Sequence, residues 1–279
     1  MSSLSPPQMT SDVAAPQAGR GFGMLQFLLP VVVLVISVAV WDLVVRINQI
    51  PPYVLPSPGA VIGTLIADWD ILWQSLLTTL LTTFEGFVAA AIGGIAMALL
   101  FSRSKWLEFS LLPYAVILQV TPVIAIAPLL LIYLPQQTAV VVCAWIVAFF
   151  PVLANTTLGL KSVDRNLAGL FKLYRATPIQ SLLLLKLPAA LPHILGGLRI
   201  AGGLSLIGAV VAEIAAGSAG AGSGLAYRIA ESSYRLNIPR MFAALLLLSM
   251  AGIVIYMLLA LVSHLVLRRW HESALGKES

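Results

Sequence analysis

Charged side chains are scarce in this sequence. Only 10% of its 279 residues are Asp, Glu, Lys or Arg, whereas soluble globular domains carry about 25%. Hydrophobic residues make up 59% of the chain and the mean hydropathy is +0.98, values that favour a lipid surrounding over an aqueous one. The composition therefore excludes an ordinary soluble enzyme and predicts an integral membrane protein.

Residues that perform chemistry are equally few. The single cysteine, Cys143, lies in an apolar run, where burial makes a thiol unreactive. The sequence contains no Walker A pattern, no His-Glu-x-x-His zinc pair and no Gly-x-Ser-x-Gly elbow. Its basic residues are scattered rather than gathered into a stripe that would bind nucleic acid. We therefore expect no catalytic residue, metal, cofactor or nucleic-acid partner, and any ATP must be hydrolysed by another chain.

Long apolar runs account for most of the chain. A run of about 20 such residues is long enough to cross a bilayer as a helix. The sequence predicts six spans, at about residues 24–45, 75–101, 111–134, 138–160, 189–216 and 239–267. A line of small residues, Ala90, Gly94 and Ala98, predicts close packing of the second span against another helix. The expected fold is an all-α polytopic membrane protein whose six-span domain covers residues 24–267.

The remaining segments flank or connect these spans. Residues 1–23 are rich in Ser, Pro, Gln and Gly and predict a disordered tail, and residues 268–279 form a second tail. The amphipathic stretch 59–73 is expected to lie along the membrane interface. The glycines between 217 and 224 predict a flexible loop. Prolines predict kinks or breaks in spans three and four: Pro113, Pro122, Pro128, Pro135 and Pro151.

The distribution of basic residues predicts how the spans are oriented. With the N-terminus in the cytoplasm, eleven of the 16 Lys and Arg residues fall on the cytoplasmic side: Arg20, Arg103, Lys105, Lys161, Arg165, Lys172, Arg175, Lys186, Arg268, Arg269 and Lys277. The opposite side holds four: Arg46, Arg228, Arg235 and Arg240. Because cytoplasmic loops carry an excess of Lys and Arg, both termini are expected to face the cytoplasm. The most basic cytoplasmic connection is then the loop at 161–188.

That loop carries a helical pattern of its own. Residues spaced at i, i+3, i+4 and i+7 form one narrow apolar stripe: Leu167, Leu170, Phe171 and Tyr174. Lys172 and Arg175 lie beside the stripe. Thr177, Pro178 and Gln180 predict a second helix start, with Thr177 as N-cap and Gln180 completing a capping box. We expect two short helices that meet at residues 176–177, and the stripe either rests on lipid headgroups or enters a groove of another protein.

The residues after the loop resemble a known family. The run at 187–199 looks like the end of the cytoplasmic loop motif of ABC importer permeases together with the residues next to it. Residues 55–58, Leu-Pro-Ser-Pro, are similar to the loop after the first span in the branch that serves nitrate, sulfonates, taurine and bicarbonate. Residues 125–130 and 150–156 resemble the third and fourth spans of that branch. The resemblance extends over residues 55–267.

This resemblance implies a type I ABC importer-like permease in the bacterial inner membrane. In such importers two permease copies enclose the path, two cytoplasmic ATPase subunits drive transport and an external solute-binding protein delivers the solute. A homodimer of this chain, surrounded by membrane lipid, fits that plan. The implied solute is a nitrate-, sulfonate- or taurine-like anion, or a vitamin-like nutrient related to riboflavin or a pyrimidine. The loop at 161–188 would insert a coupling helix into the ATPase, with contacts from Leu167, Leu170, Phe171, Lys172, Tyr174, Arg175, Thr177 and Gln180.

The loop also departs from the family's pattern. The family's loop usually opens with Glu-Ala-Ala and carries a glycine six residues after the glutamate. In this sequence the corresponding positions hold Gly169, Leu170, Phe171 and Arg175. The acidic residue and the helix-breaking glycine are therefore both replaced, and we expect the apolar stripe, Lys172 and Arg175 to make the ATPase contacts.

Three charged residues fall within predicted spans: Glu85, Arg199 and Glu213. Counted from the predicted start of its own span, each of Glu85 and Arg199 lies about 15 Å deep at helical rise. Because an unpaired charge at that depth is costly, we expect Glu85 and Arg199 to pair across spans two and five, or the three residues to face the transport path. Two other functions stay open at this point, an ion-coupled secondary carrier and an intramembrane enzyme.

Overall fold

The computed structural model describes residues 22–217 and 222–268, and every regular element in these ranges is a helix. Most of the two predicted tails, 1–23 and 268–279, lies outside the described residues. The helices are α1 (Phe22–Ile47), α2 (Pro58–Ala67), α3 (Trp69–Arg103), α4 (Lys105–Val120), α5 (Val123–Tyr133), α6 (Gln136–Lys161), α7 (Arg165–Leu173), α8 (Pro178–Ser181), α9 (Leu187–Ala216), α10 (Leu225–Tyr234) and α11 (Ile238–Leu267). A π-turn (Leu182–Lys186) joins α8 to α9.

Long apolar helices confirm the all-helical, polytopic architecture. Helices α1, α3, α6 and α11 are each long enough to cross a membrane, and so is the continuous helix Pro178–Ala216. Helices α4 and α5 form a sixth span when they are counted as one bent pair. The segment up to Ile50, which contains α1, is one compact unit, and the chain from Pro51 onward is a second.

Prolines act differently in the third and fourth predicted spans. The third is broken as expected, because α4 and α5 meet at 98° and the extended residues Thr121 and Pro122 separate them. In contrast, α6 runs unbroken through Pro151, so span four has no break there, and a kink at this residue stays a prediction. Buried residues of α6 pack against both α3 and α9. This packing holds the helix together although Pro151 removes one backbone hydrogen bond.

The predicted amphipathic segment 59–73 is divided between two helices. Ser57 begins α2, since its Oγ accepts a hydrogen bond from the N–H of Ala60 at 3.2 Å. The helix ends at Asp68, and Trp69 already belongs to α3. The short helix is therefore α2 alone, and the second half of the segment is the first turn of a membrane span.

The fifth span starts earlier than predicted. It was expected to begin at about residue 189, but the helix is continuous from Pro178. The π-turn explains the difference, because the N–H of Leu187 bonds the carbonyl of Leu182, one residue further back than in an α-helix. This wider turn carries the helix up to Pro188, which has no N–H of its own.

Small residues determine how closely α3, α6 and α9 pack. Three predicted small residues of α3 are buried: Ala90, Gly94 and Ala98. A Cβ added to Gly94 would lie only 2.8 Å from the Cβ of Val152 in α6. A Cβ on Gly208 of α9 would lie 2.7 Å from the carbonyl oxygen of Cys143 in α6. The predicted close approach of the second span is confirmed, and Cys143 is buried in this core.

Candidate functional site

The predicted apolar stripe lies on an uncovered helix. Asp164 begins α7, because its Oδ1 accepts hydrogen bonds from the N–H groups of Asn166 and Leu167 at 2.6 and 3.4 Å. Every position of α7 is described, and none of them is buried. The exposed fraction is 49% for Leu167, 45% for Leu170 and 80% for Tyr174, while Phe171 is half-buried. An apolar face this open favours contact with a partner outside the chain.

Helix α7 ends in a Schellman motif at Arg175. The N–H of Arg175 bonds the carbonyl of Lys172, and the N–H of Ala176 bonds the carbonyl of Phe171, both at 3.0 Å. This arrangement places Arg175 at φ +51°, in the left-handed region that favours glycine. The position at which the resembled family carries glycine therefore has the backbone conformation of a glycine position, although arginine occupies it.

Hydrogen bonds at Thr177 confirm the predicted capping box. The Oγ1 of Thr177 accepts from the N–H of Gln180 at 3.2 Å, and the Oε1 of Gln180 accepts from the N–H of Thr177 at 2.8 Å. Pro178 occupies the first helical position. The helix that starts here is not short, however, since it continues through the π-turn to Ala216. Helix α7, which ends in the Schellman motif, and the helix that begins with the capping box therefore meet at residues 176–177.

An ion pair that sequence analysis missed anchors the entrance to this loop. The Nζ of Lys161, the last residue of α6, lies 2.5 Å from the Oε1 of Glu108 in α4. The Glu108 side chain is 17% exposed and that of Lys161 is 58% exposed. Because the two residues lie 53 positions apart, no local pattern in the sequence indicated their contact.

The structure does not join Glu85 and Arg199. Among the described residues no ion pair includes either side chain. Instead, the Cζ of Arg199 lies 5.9 Å from the ring centroid of Tyr256 in α11, within reach of a cation–π interaction. The expected pair is therefore not formed, and an orientation of these residues toward the transport path stays a prediction.

The register between α3 and α9 explains why this pair does not form. The Oγ of Ser205 in α9 donates to the carbonyl of Thr83 in α3 at 2.8 Å. Residues two positions apart on a helix differ by about 200° in direction, so Glu85 points away from the side of α3 that meets α9. Helices α3 and α9 run antiparallel, since Thr79 contacts Glu213 and Thr83 contacts Ser205. Arg199 lies six residues before Ser205 and Glu85 two residues after Thr83, so the two residues differ in level by about 6 Å.

Glu213 belongs to a buried network that connects three helices. Its side chain is on α9, its exposed fraction is 4%, and its Oε2 accepts from the Oγ1 of Thr79 in α3 at 2.9 Å. The same Oε2 accepts from the N–H of Ala226 at 3.1 Å, in the first turn of α10. The N–H of Leu225 in turn donates to the Oγ1 of Thr79 at 2.8 Å. Glu213 therefore ties the start of α10 to the spans α3 and α9.

Two glycines of the predicted flexible loop have defined positions at or beside this network. Gly224 approaches the carboxylate of Glu213 so closely that a Cβ at this position would collide with it. Gly222 has φ +109°, which side chains rarely adopt. These glycines permit a tight approach of α10 to α9, whereas residues 218–221 of the predicted loop lie outside the described residues.

A cavity of about 350 Å³ with polar and apolar side chains in its wall opens beside this network. Five hydrogen-bonding side chains from α3, α6 and α9 line it: Thr78, Thr82, Gln136, Gln137 and Glu213. Hydroxyl and amide groups offer both donors and acceptors to a small polar molecule. The cavity is therefore a candidate part of a solute path between the three central spans.

Arg228 and Arg240, which sequence analysis used only to predict the membrane orientation, form ion pairs. The Nε of Arg240 lies 2.6 Å from the Oδ2 of Asp68, which joins the start of α11 to the end of α2. Arg228 of α10 donates to the Oγ of Ser75 in α3 at 3.1 Å and pairs with Glu231 at 2.8 Å. These contacts hold α10 and α11 near the start of α3.

The sequence matches a known family over most of its membrane domain. The signature described as "Binding-protein-dependent transport system inner membrane component" matches residues 90–272, more than half of the chain. An ABC transporter permease protein of Haemophilus influenzae is 35% identical over 233 residues, which cover 83% of this chain and 94% of that protein. These matches show that the chain belongs to a family of membrane transport subunits.

Further relatives carry names that refer to different solutes. A riboflavin transport system permease protein of Chloroflexus aurantiacus is 32% identical over 87% of this chain and 90% of that protein. A nitrate import permease protein of Synechocystis is 30% identical over 65% of each. Among solved structures, an amino acid ABC transporter with histidines gives a TM-score of 0.59 at 20% identity, over 72% of this chain and 96% of that chain. The structural likeness supports the fold.

The family match decides between the functions that the sequence left open. Permeases of this family are transport subunits that work with a partner ATPase, which hydrolyses the ATP. The match therefore argues against the ion-coupled carrier and the intramembrane enzyme. The chain belongs to the inner-membrane components of binding-protein-dependent transport systems, the multi-pass permease subunits of ABC transporters.

Proposed function

We propose that this chain forms the solute path of an ABC importer and that α7 is its coupling helix to the ATPase. The observation that carries the proposal is the open apolar stripe of α7, which no part of the described chain buries. Lys172 and Arg175 flank the stripe and would meet acidic groups of the ATPase. Thr177 and Gln180 would hold the base of the coupling helix in position through their capping box.

The geometry of the fifth span supports a mechanical link between this loop and the path. The helix that begins at Pro178, directly after the junction with α7, continues for 39 residues to Ala216. At helical rise it is about 58 Å long. Glu213, close to its far end, contacts α3 and α10. A displacement of α7 by the ATPase would therefore reach the network around Glu213 through one continuous helix.

The proposed assembly contains two copies of this permease, two ATPase subunits and an external solute-binding protein. Both termini face the cytoplasm in this proposal, because the loop at 161–188 is then on the ATPase side and the excess of Lys and Arg is cytoplasmic. The six-span domain at 24–267 carries the path, and residues 1–23 and 268–279 are cytoplasmic tails. The solute is a small anion of the nitrate, sulfonate or taurine type, or a vitamin-like nutrient.

Replacement of Phe171 and Tyr174 by Asp tests the coupling proposal. Two charges in the stripe would oppose its burial in an apolar groove, so we expect recovery of the ATPase with the purified permease to fall at least about tenfold. A matched control carries Arg165→Gln and Asn166→Asp, which change the net charge of α7 by the same amount outside the stripe. Both residues are exposed, so this control is sterically tolerated.

The comparison requires equal membrane insertion of both variants, measured by the amount of full-length permease extracted from washed membranes. Normal ATPase recovery with the Phe171→Asp and Tyr174→Asp variant would contradict the proposal. Equal losses with both variants would also contradict it, because the contact would then not depend on the apolar stripe.

A further inference from the structure

A cleft of about 480 Å³ lies between the end of α3 and the start of the fifth span. Two basic residues line it, Arg103 from the last turn of α3 and Lys186 from the π-turn. The hydroxyl-bearing residues Ser102 and Ser181 lie beside them. Cations and hydroxyl groups are therefore brought together from two separate helices.

The charge of this cleft is unbalanced within the chain. No acidic residue is among its described lining residues, and neither Arg103 nor Lys186 forms an ion pair in the described part of the chain. Lys186 is half-buried. Two cations that converge on a partly enclosed space without a counter-ion favour the binding of an anionic group.

Exposed apolar side chains in the cleft and on the neighbouring π-turn indicate what kind of anion fits. Ile179 lines the cleft and is 56% exposed. Leu183 and Leu184 of the π-turn, next to Lys186, are 54% and 67% exposed. The cleft also lies at the ends of the apolar spans, where lipid headgroups would be in a bilayer. A free inorganic anion would leave these apolar surfaces uncovered, whereas a phospholipid provides both a charged group and acyl chains.

We propose that this cleft binds an anionic phospholipid of the membrane. Arg103 and Lys186 contact the phosphodiester oxygens, and the acyl chains lie against Ile179, Leu183 and Leu184. Basic pockets between membrane helices on the cytoplasmic side are known sites for anionic headgroups. The inference uses the proposed orientation to assign the lipid to the inner leaflet, and it is independent of the solute. A lipid bound here braces the start of the fifth span against α3.

Phosphatidylglycerol binding to the purified full-length chain tests this site. The lipid is titrated into the chain in neutral detergent micelles, and bound lipid is counted by native mass spectrometry. The variant Arg103→Gln with Lys186→Gln removes both cations, and we expect its affinity to fall about thirty-fold. The control Lys105→Gln with Arg165→Gln removes two basic residues outside the cleft and should retain affinity within about twofold.

Each other outcome overturns the proposal. Equal loss in the two variants would show a general effect of charge, and equal binding of phosphatidylcholine would show that the anion is not recognised. Displacement of the lipid by millimolar inorganic phosphate would assign the cleft to a free anion. Unchanged lipid affinity of the double variant, together with loss of the ATPase that co-purifies with it from membranes, would assign the cleft to the ATPase. If the double variant fails to fold, Lys186→Gln alone is expected to weaken binding about fivefold.

Discussion

At the residue scale, Glu213 shows how one buried carboxylate can connect distant parts of the chain. A buried charge is tolerated when hydrogen bonds compensate for the lost water. The hydroxyl of Thr79 and the N–H of Ala226 supply that compensation to Oε2, whereas the buried Oε1 has no hydrogen-bond partner among the described residues. Sequence analysis singled out Glu213 because acidic residues are rare in membrane spans, but its partner Thr79 is 134 positions away and no local pattern pointed to it.

Loss of this carboxylate is expected to destabilise the permease. Glu213→Ala leaves the N–H of Ala226 buried without its acceptor and the hydroxyl of Thr79 with only the carbonyl of Ser75, at 3.2 Å, at a cost of about 2–3 kcal/mol. We expect the midpoint of thermal unfolding in detergent to fall by roughly 5–10 °C. Glu213→Gln keeps an acceptor oxygen and should cost less.

The matched control for this prediction is Glu85→Ala. Glu85 is a half-buried acid on the neighbouring span, and it takes part in no ion pair within the described residues. Equal shifts in the unfolding midpoints of Glu85→Ala and Glu213→Ala would show that the network does not hold α10 in place.

At the element scale, helix ends were easier to predict than helix contacts. The capping box of Thr177 and Gln180 is local, so four consecutive residues predicted it, and the structure confirms it. The contact of Ser205 with Thr83 sets the register between α9 and α3, and this register separates Glu85 from Arg199. Packing between distant segments of the chain sets this register. The depth of a residue, counted along its own helix, does not determine it.

The left-handed residue at the end of α7 yields a prediction for this element. Arg175→Gly removes the Cβ from a position with φ +51°, which should stabilise the Schellman motif by about 1 kcal/mol. We expect the N–H of Ala176, which bonds the carbonyl of Phe171, to exchange with deuterium about fivefold more slowly.

Arg175→Ala is the control for this measurement, because it removes the same charge and keeps a Cβ. Its exchange rate should stay near that of the unmodified chain. Equal slowing in the alanine and glycine variants would show that the arginine charge, rather than its backbone conformation, limits the stability of this helix end.

At the scale of the whole molecule, composition and apolar run length were sufficient to predict the architecture. The five long spanning helices and the bent pair α4–α5 follow from the low solubility of long apolar runs in water and from the length a helix needs to cross a bilayer. The continuity of α6 through Pro151 and of the fifth span from Pro178 could not be predicted in this way. The first depends on tertiary packing and the second on a π-turn, and amino-acid composition predicts neither.

The central claim concerns the contact between α7 and the ATPase, and site-specific crosslinking tests it directly. Cys143 is buried, so a cysteine introduced on α7 is the accessible thiol for a maleimide-linked photocrosslinker. We expect Leu170→Cys, within the stripe, to crosslink to the ATPase in native membranes. Arg165→Cys, at an exposed position on the other side of α7, should crosslink much less. Crosslinks from Leu170→Cys to lipid alone, or equal ATPase crosslinks from both positions, would contradict the coupling role of the stripe.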